Sequence, residues 1–110
     1  MKTVAKHVLM VLTNAKDGQE EEFNSWYTEV HLKDVLKVDG FVAAQRFEQA
    51  DQQLGEKGPH RYLAIYEVET EDLQQTLKQL SETNMVISDG MDAEGVAAWA
   101  FSPITERMVS

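Results

Sequence analysis

Short runs of consecutive apolar residues alternate along this chain with longer stretches in which apolar residues recur every three or four positions. The first run is His7–Thr13, HVLMVLT, flanked by polar Lys6 and Asn14. Its β-branched and long apolar residues predict a strand with Val8, Met10 and Leu12 on one face and Leu9 and Val11 on the other. Asn14–Gly18 carries turn chemistry. A helix is expected from Asp17 or Gly18, where Glu20, Glu21 and Glu22 suit the positive end of its dipole. At about 100° per residue, Phe23, Trp26, Tyr27 and Val30 share one broad apolar face. His31 follows Tyr27 by four residues and lies at the edge of that face. A shorter helical segment over roughly Leu32–Val38 comes next, with Gly40 as its stop.

Phe41–Glu48, FVAAQRFE, reads as a second strand of mixed polarity, and Ala50–Pro59 as a polar loop. Arg61–Val68, RYLAIYEV, is a third strand. Tyr62, Ala64, Tyr66 and Val68 fall on one of its faces, and Leu63, Ile65 and Glu67 on the other. Thr70 is the expected cap of a second helix, in which Leu73, Leu77 and Leu80 form the buried stripe and which ends near Thr83 or Asn84. After a loop over Met85–Gly95, Val96–Phe101 is the last strand, closed by Pro103. The order β-α-β-β-α-β predicts one α+β domain of ferredoxin-like arrangement, a four-stranded antiparallel sheet with helices on one face. The uncovered face of such a sheet should be polar. Strands one, three and four are instead apolar or aromatic on both faces. A second sheet is the obvious cover, so a homodimer closed face to face is expected.

Charge removes some classes of partner. With 19 Asp and Glu against 10 Lys and Arg, the formal charge is −9, which repels nucleic acid and anionic membrane surfaces. The absence of cysteine rules out disulfides, thiolate metal sites and cysteine nucleophiles. Val8–Leu12 is too short for a membrane span or a signal-peptide core, and the expected location is the cytoplasm.

The chemistry centres on His31. Its ordinary pKa of about 6.5 suits a general base or acid; the alternative is a partly buried imidazole bonded to backbone or to Tyr27. Trp26 and Tyr27 could line a pocket or fill the core. Tyr62 and Tyr66 could present phenols to a ligand or sit in a dimer interface. His7 and His60 are expected to be exposed; Arg46 could orient an anionic ligand, but pairing with an acidic neighbour such as Glu48 or Glu67 is the favoured reading. No His-x-x-x-His pair, Gly-rich phosphate loop or Gly-x-Ser-x-Gly elbow is present. Any catalysis is therefore expected to be acid–base chemistry without metal, nucleotide cofactor or covalent intermediate.

Trp26-Tyr27 with His31 four positions on, then Gly40-Phe41, then Arg61-Tyr62-Leu63-Ala64-Ile65-Tyr66-Glu67 carry a resemblance. In this order and spacing, the chain resembles the EthD-like branch of the dimeric α+β barrel superfamily. It departs from that pattern at Lys33 and Asp39, where such proteins often have proline. The resemblance implies a homodimer, a pocket between each sheet and its own helices or loops, and a small hydrophobic, aromatic or polyketide-like ligand. Candidate ligand contacts are Trp26, Phe41, Tyr62, Tyr66 and Trp99, beside His31 and Tyr27 as catalytic candidates. Three functions fit it. The first is cyclisation, isomerisation or decarboxylation driven by His31. The second is carriage of an intermediate for an oxygenase system, and the third is cofactor-free oxygenation using Asn24 and Trp26.

Overall fold

In a computed structural model, which describes residues 3–110, the elements follow the expected order. Strand β1 spans Ala5–Thr13, β2 Phe41–Glu48, β3 Tyr62–Thr70 and β4 Ala97–Phe101. Helix α1 (Glu20–Trp26) passes without a break through a π turn (Tyr27–His31) into α2 (Leu32–Leu36), and α3 covers Leu73–Glu82. The sheet order is β2-β3-β1-β4 with every neighbour antiparallel. This is the ferredoxin-like α+β architecture.

Register decides which side chains meet the helices. Leu9 lies opposite Tyr66, Val11 opposite Ala64 and Thr13 opposite Tyr62 across β1 and β3. The alternate β3 residues Tyr62, Ala64, Tyr66 and Val68 are all buried, together with Phe23, Tyr27, Val35 and Val38 from the helical layer. The two tyrosines thus belong to the core of their own chain, not to an interface between copies. The other face carries Met10 opposite Ile65 and Trp99, Val8 opposite Phe101, and Phe47 opposite Leu63. Trp99 and Phe101 remain 55% and 51% exposed, so this face is apolar and uncovered in a single chain.

Several local expectations are corrected. The cap of α3 is Asp72, whose carboxylate accepts from the Gln75 N–H at 3.1 Å. Thr70 instead accepts from the Asp72 N–H and from the Thr76 hydroxyl. Val30 is 42% exposed rather than part of the buried face. His7 and His60 are half-buried and bonded, the first to the Ser102 hydroxyl and the second to the Gly95 carbonyl. No helix among the described residues is long and apolar enough to cross a membrane.

Gly40 turns the chain from the helical layer into β2 at φ +95°, and its carbonyl accepts from the Glu69 N–H at 2.8 Å. A Cβ there would lie 3.0 Å from the Thr76 Cγ2 and 3.4 Å from the Glu69 carbonyl oxygen. Both the conformation and the space therefore select glycine. Gly40→Ala is expected to destabilise the fold by about 1–3 kcal/mol in urea unfolding. Pairing it with Thr76→Ser, which removes the crowding methyl, should recover part of that loss; strict additivity would show that crowding plays no part.

Candidate functional site

The π turn is the local event that assembles the site. The Leu32 N–H bonds back to the Tyr27 carbonyl, five residues earlier. Such a turn holds one residue more than an α turn, so each residue advances less than the α-helical 100°. Val30 therefore drops to the edge of the apolar face, and His31 moves toward its centre. Residues five apart also come onto nearly the same side. Trp26 accordingly stacks on His31, with ring centres 4.7 Å apart and planes at 26°. Tyr27 meets His31 edge-on at 4.9 Å.

Between this helix and the sheet lies a cavity of about 400 Å³. Its floor is Leu9 and Val11 of β1, Tyr66 of β3 and Ala98 of β4. Tyr27, His31 and Val35 come from above, and Leu80 with Thr83, Asn84, Met85 and Ile87 closes the side. The loop that forms this last wall is held in place from the helix, since the Trp26 indole N–H donates to the Val86 carbonyl at 3.0 Å. A larger recess of about 690 Å³ beside the Ala50–Pro59 loop is polar. Its Lys57 and Arg61 are already paired with Asp51 and Glu48.

Three titratable groups line the cavity, and all are held uncharged at neutral pH. The Tyr66 hydroxyl donates to the Tyr27 hydroxyl at 3.2 Å. Burial pushes both phenols above their ordinary range; for Tyr27 the bond from Tyr66 and the charge of Arg46 oppose that rise. Burial lowers the pKa of His31, against a weaker opposing pull from Asp34. The His31 Nδ1 is buried without a hydrogen-bond partner. Protonating both nitrogens would force an unpaired N–H into that position, which is a second reason the neutral ring is preferred.

The candidate residues sort as follows. Tyr27, His31 and Tyr66 meet at the cavity. Trp26 does not line it but braces His31 and the loop. Tyr62 and Phe41 are buried behind it in the core; the Tyr62 hydroxyl accepts from the Asn24 amide at 3.0 Å. Trp99 lies on the opposite sheet face, because its register partner Met10 points away from the helices. Asn24 is outside the cavity, tied to Tyr62 and Arg46. In place of the alternative bond between His31 and Tyr27, the Tyr27 hydroxyl accepts from Tyr66.

Arg46 is the residue most misjudged from sequence. It pairs with neither Glu48, which is taken by Arg61 at 2.8 Å, nor Glu67, which is on the other sheet face. Its Nη2 donates to the Asn24 side-chain oxygen at 2.8 Å, and its Nη1 to the Thr28 hydroxyl at 3.0 Å and the Asn24 carbonyl at 3.4 Å. The guanidinium carbon sits 4.5 Å from the centre of the Tyr27 ring, with Tyr62 and Phe23 at 5.4 and 5.6 Å. Among the described residues, no group of three or more His, Asp or Glu side chains is placed to hold a metal ion.

Fold and cavity together define a ferredoxin-like α+β protein with an apolar chamber between sheet and helices. The chain belongs to the family described as a domain of unknown function, DUF4286, whose model matches residues 6–86. No curated protein matches it. Among solved structures it is similar to an ethyl tert-butyl ether D (EthD) family protein from Bacillus halodurans C-125. That similarity has 14% identity and a TM-score of 0.57 over 89% of this chain and 99% of the other. It is also similar to a candidate monooxygenase from Shewanella loihica PV-4, with 14% identity and a TM-score of 0.56 over 96% of this chain and 99% of that one. At that identity the likeness establishes the shared fold.

His31 gives the site a pH signature. In the unfolded chain its imidazole takes up a proton below about pH 6.5, whereas the folded protein holds it neutral to lower pH. The unfolded state then binds more protons, so this contribution to stability is complete above about pH 6.5 and declines as the pH falls. The melting temperature should drop between pH 7.5 and 5 more steeply in the wild type than in His31→Gln. Parallel profiles would show that His31 titrates alike in both states.

Proposed function

We propose that this chain is a homodimeric, EthD-like protein whose cavity binds a small, largely apolar molecule bearing at least one oxygen function and moves a proton on it. The observation that carries this reading is the meeting of a neutral imidazole and a bonded pair of protonated phenols on one apolar chamber. His31 serves as the base. Tyr27, backed by the bond from Tyr66, donates to the oxygen on which negative charge develops. Proton transfer α to a carbonyl needs only these two parts: removal of the proton forms the enolate used in cyclisation and isomerisation, and return of a proton quenches the enolate left when a β-keto acid loses carbon dioxide. The apolar walls strengthen both interactions by excluding water.

Carriage without turnover is the competing reading, and one experiment separates the two. Solvent-deuterium exchange at the acidic carbon of a cyclic β-diketone, followed by NMR, reports proton transfer directly. The wild type should accelerate it, and His31→Gln should lose about 10²–10⁴ of that acceleration with little change in binding. Ala98→Leu, which fills the floor of the cavity, should abolish binding without unfolding the protein. Binding with no exchange in the wild type would establish a carrier, and no binding at all would remove the chamber from consideration.

The uncovered sheet face supports the dimer. Burying Trp99, Phe101, Met10, Ile65 and Phe47 against a second sheet would remove a contiguous apolar surface from water. Light scattering should give about 25 kDa, twice the 12.5 kDa of one chain, and Trp99→Glu should halve it. A stable wild-type monomer at micromolar concentration would rule the dimer out.

A further inference from the structure

A cationic side chain placed against aromatic rings at a helix–sheet interface, with no carboxylate partner, needs a reason. Among the described residues Arg46 makes no ion pair, and it does not line the cavity. Its three hydrogen bonds satisfy donors on neutral oxygens of Asn24 and Thr28, which leaves its positive charge uncompensated. That charge lies over the ring of Tyr27, a residue that lines the cavity and whose hydroxyl accepts from Tyr66. The other titratable groups that face it are Tyr62, Tyr66 and Glu48, and Glu48 is engaged by Arg61.

We propose that Arg46 is a positioning residue that acts through Tyr27, strengthening its hydroxyl as a hydrogen-bond donor so that the cavity selects ligands whose oxygen is, or becomes, an enolate or phenolate. This rests on the ligand-binding reading above and names its substrate class. A cation over a phenol ring withdraws electron density and stabilises negative charge on its oxygen. At 4.5 Å and half-buried, such a charge shifts an acid–base balance by about tenfold. Tyr66 acts in the same direction, because a hydroxyl that accepts one bond becomes the stronger donor of its own proton. The cavity would thus pass charge from the guanidinium to the ligand oxygen without placing a cation in the chamber. A free carboxylate ligand would gain less, since it would face apolar walls in place of a salt-bridge partner.

The probe is 4-nitrophenol, whose phenol and phenolate forms absorb at different wavelengths, bound to the intact protein under conditions of saturation. The ratio of bound phenolate to bound phenol should be about tenfold lower in Arg46→Met than in the wild type, at matched pH. Arg46→Lys, which keeps the charge and loses the forked bonds, should restore most of the ratio, a rescue that a purely structural role of the guanidinium would not give. Tyr27→Phe removes the hydroxyl with Arg46 in place and tests the same claim should Arg46→Met fold poorly; it too should lower the ratio about tenfold. In the Tyr27→Phe background, Arg46→Met should have little further effect. An unchanged ratio in either single variant, or an equal drop in both backgrounds, would overturn the role of Arg46 while leaving ligand binding intact. Failure of the wild type to bind the probe would overturn the ligand-binding reading and this inference with it.

Discussion

One widened helical turn governs what the helical layer can present to the sheet. Phe23 and Tyr27 must reach the core at α-helical spacing, and a regular helix would then bury Val30 and leave His31 at the border. The extra residue in Tyr27–His31 exchanges those two positions. It also brings Trp26 over His31 across an interval that an α-helix would place on different sides. The stacked indole covers one face of the imidazole, and the edge of Tyr27 meets it from another direction. With one ring nitrogen buried and unbonded, a charged imidazole would be costly to hold there. The same turn that delivers His31 to the cavity therefore keeps it neutral.

Tyr27 is where this helical constraint meets the sheet. It touches Phe23 and Trp26 through its ring, bonds Tyr66 through its oxygen, and carries Arg46 against its face. A guanidinium at a partly buried interface is tolerable only if its donors find acceptors, and here Asn24 and Thr28 supply them from the helix. That arrangement fastens α1 to β2 while leaving the positive charge unneutralised. A carboxylate at either helix position would have satisfied the same donors and cancelled the charge that Tyr27 feels. Neutral acceptors keep it available.

Strand periodicity made the sheet legible in advance. The two faces of β3 followed from alternation; its register with β1 did not, because β1 is apolar on both faces. What sequence could not reveal has physical causes. A π turn has no compositional mark in YTEVH, so the displacement of Val30 and His31 was invisible. Charge complementarity suggested an acidic partner for Arg46, but strand register put Glu67 on the other face and geometry gave Glu48 to Arg61. Trp99 was misplaced for a similar reason: both faces of β4 are apolar, so its alternation alone does not say which side faces the helices. The cavity wall at Thr83–Ile87 lies in a loop without periodicity; the Trp26–Val86 bond and the packing of Met85 on the core tie it to the site.

The cavity exists because the sheet is underfilled on its helix side. Ala44, Ala64, Ala98 and Ala100 all lie on that side, and Ala98 lines the space itself, where a larger residue would close it. On the opposite face the same strands carry Trp99, Phe101, Met10 and Ile65. Small residues toward the helices and large ones away from them are two halves of one pattern on β4, AAWAF. Since β4 pairs with β1 over only five positions, as a short edge strand, the floor at Ala98 owes part of its position to what packs on Trp99 and Phe101. Adjacent residues of one strand cannot move independently, because the backbone between them is shared and its ladder bonds fix both. Whatever covers the open face thereby stiffens the chamber floor on the other side. The open face and the chamber floor are in this way joined through a single five-residue strand.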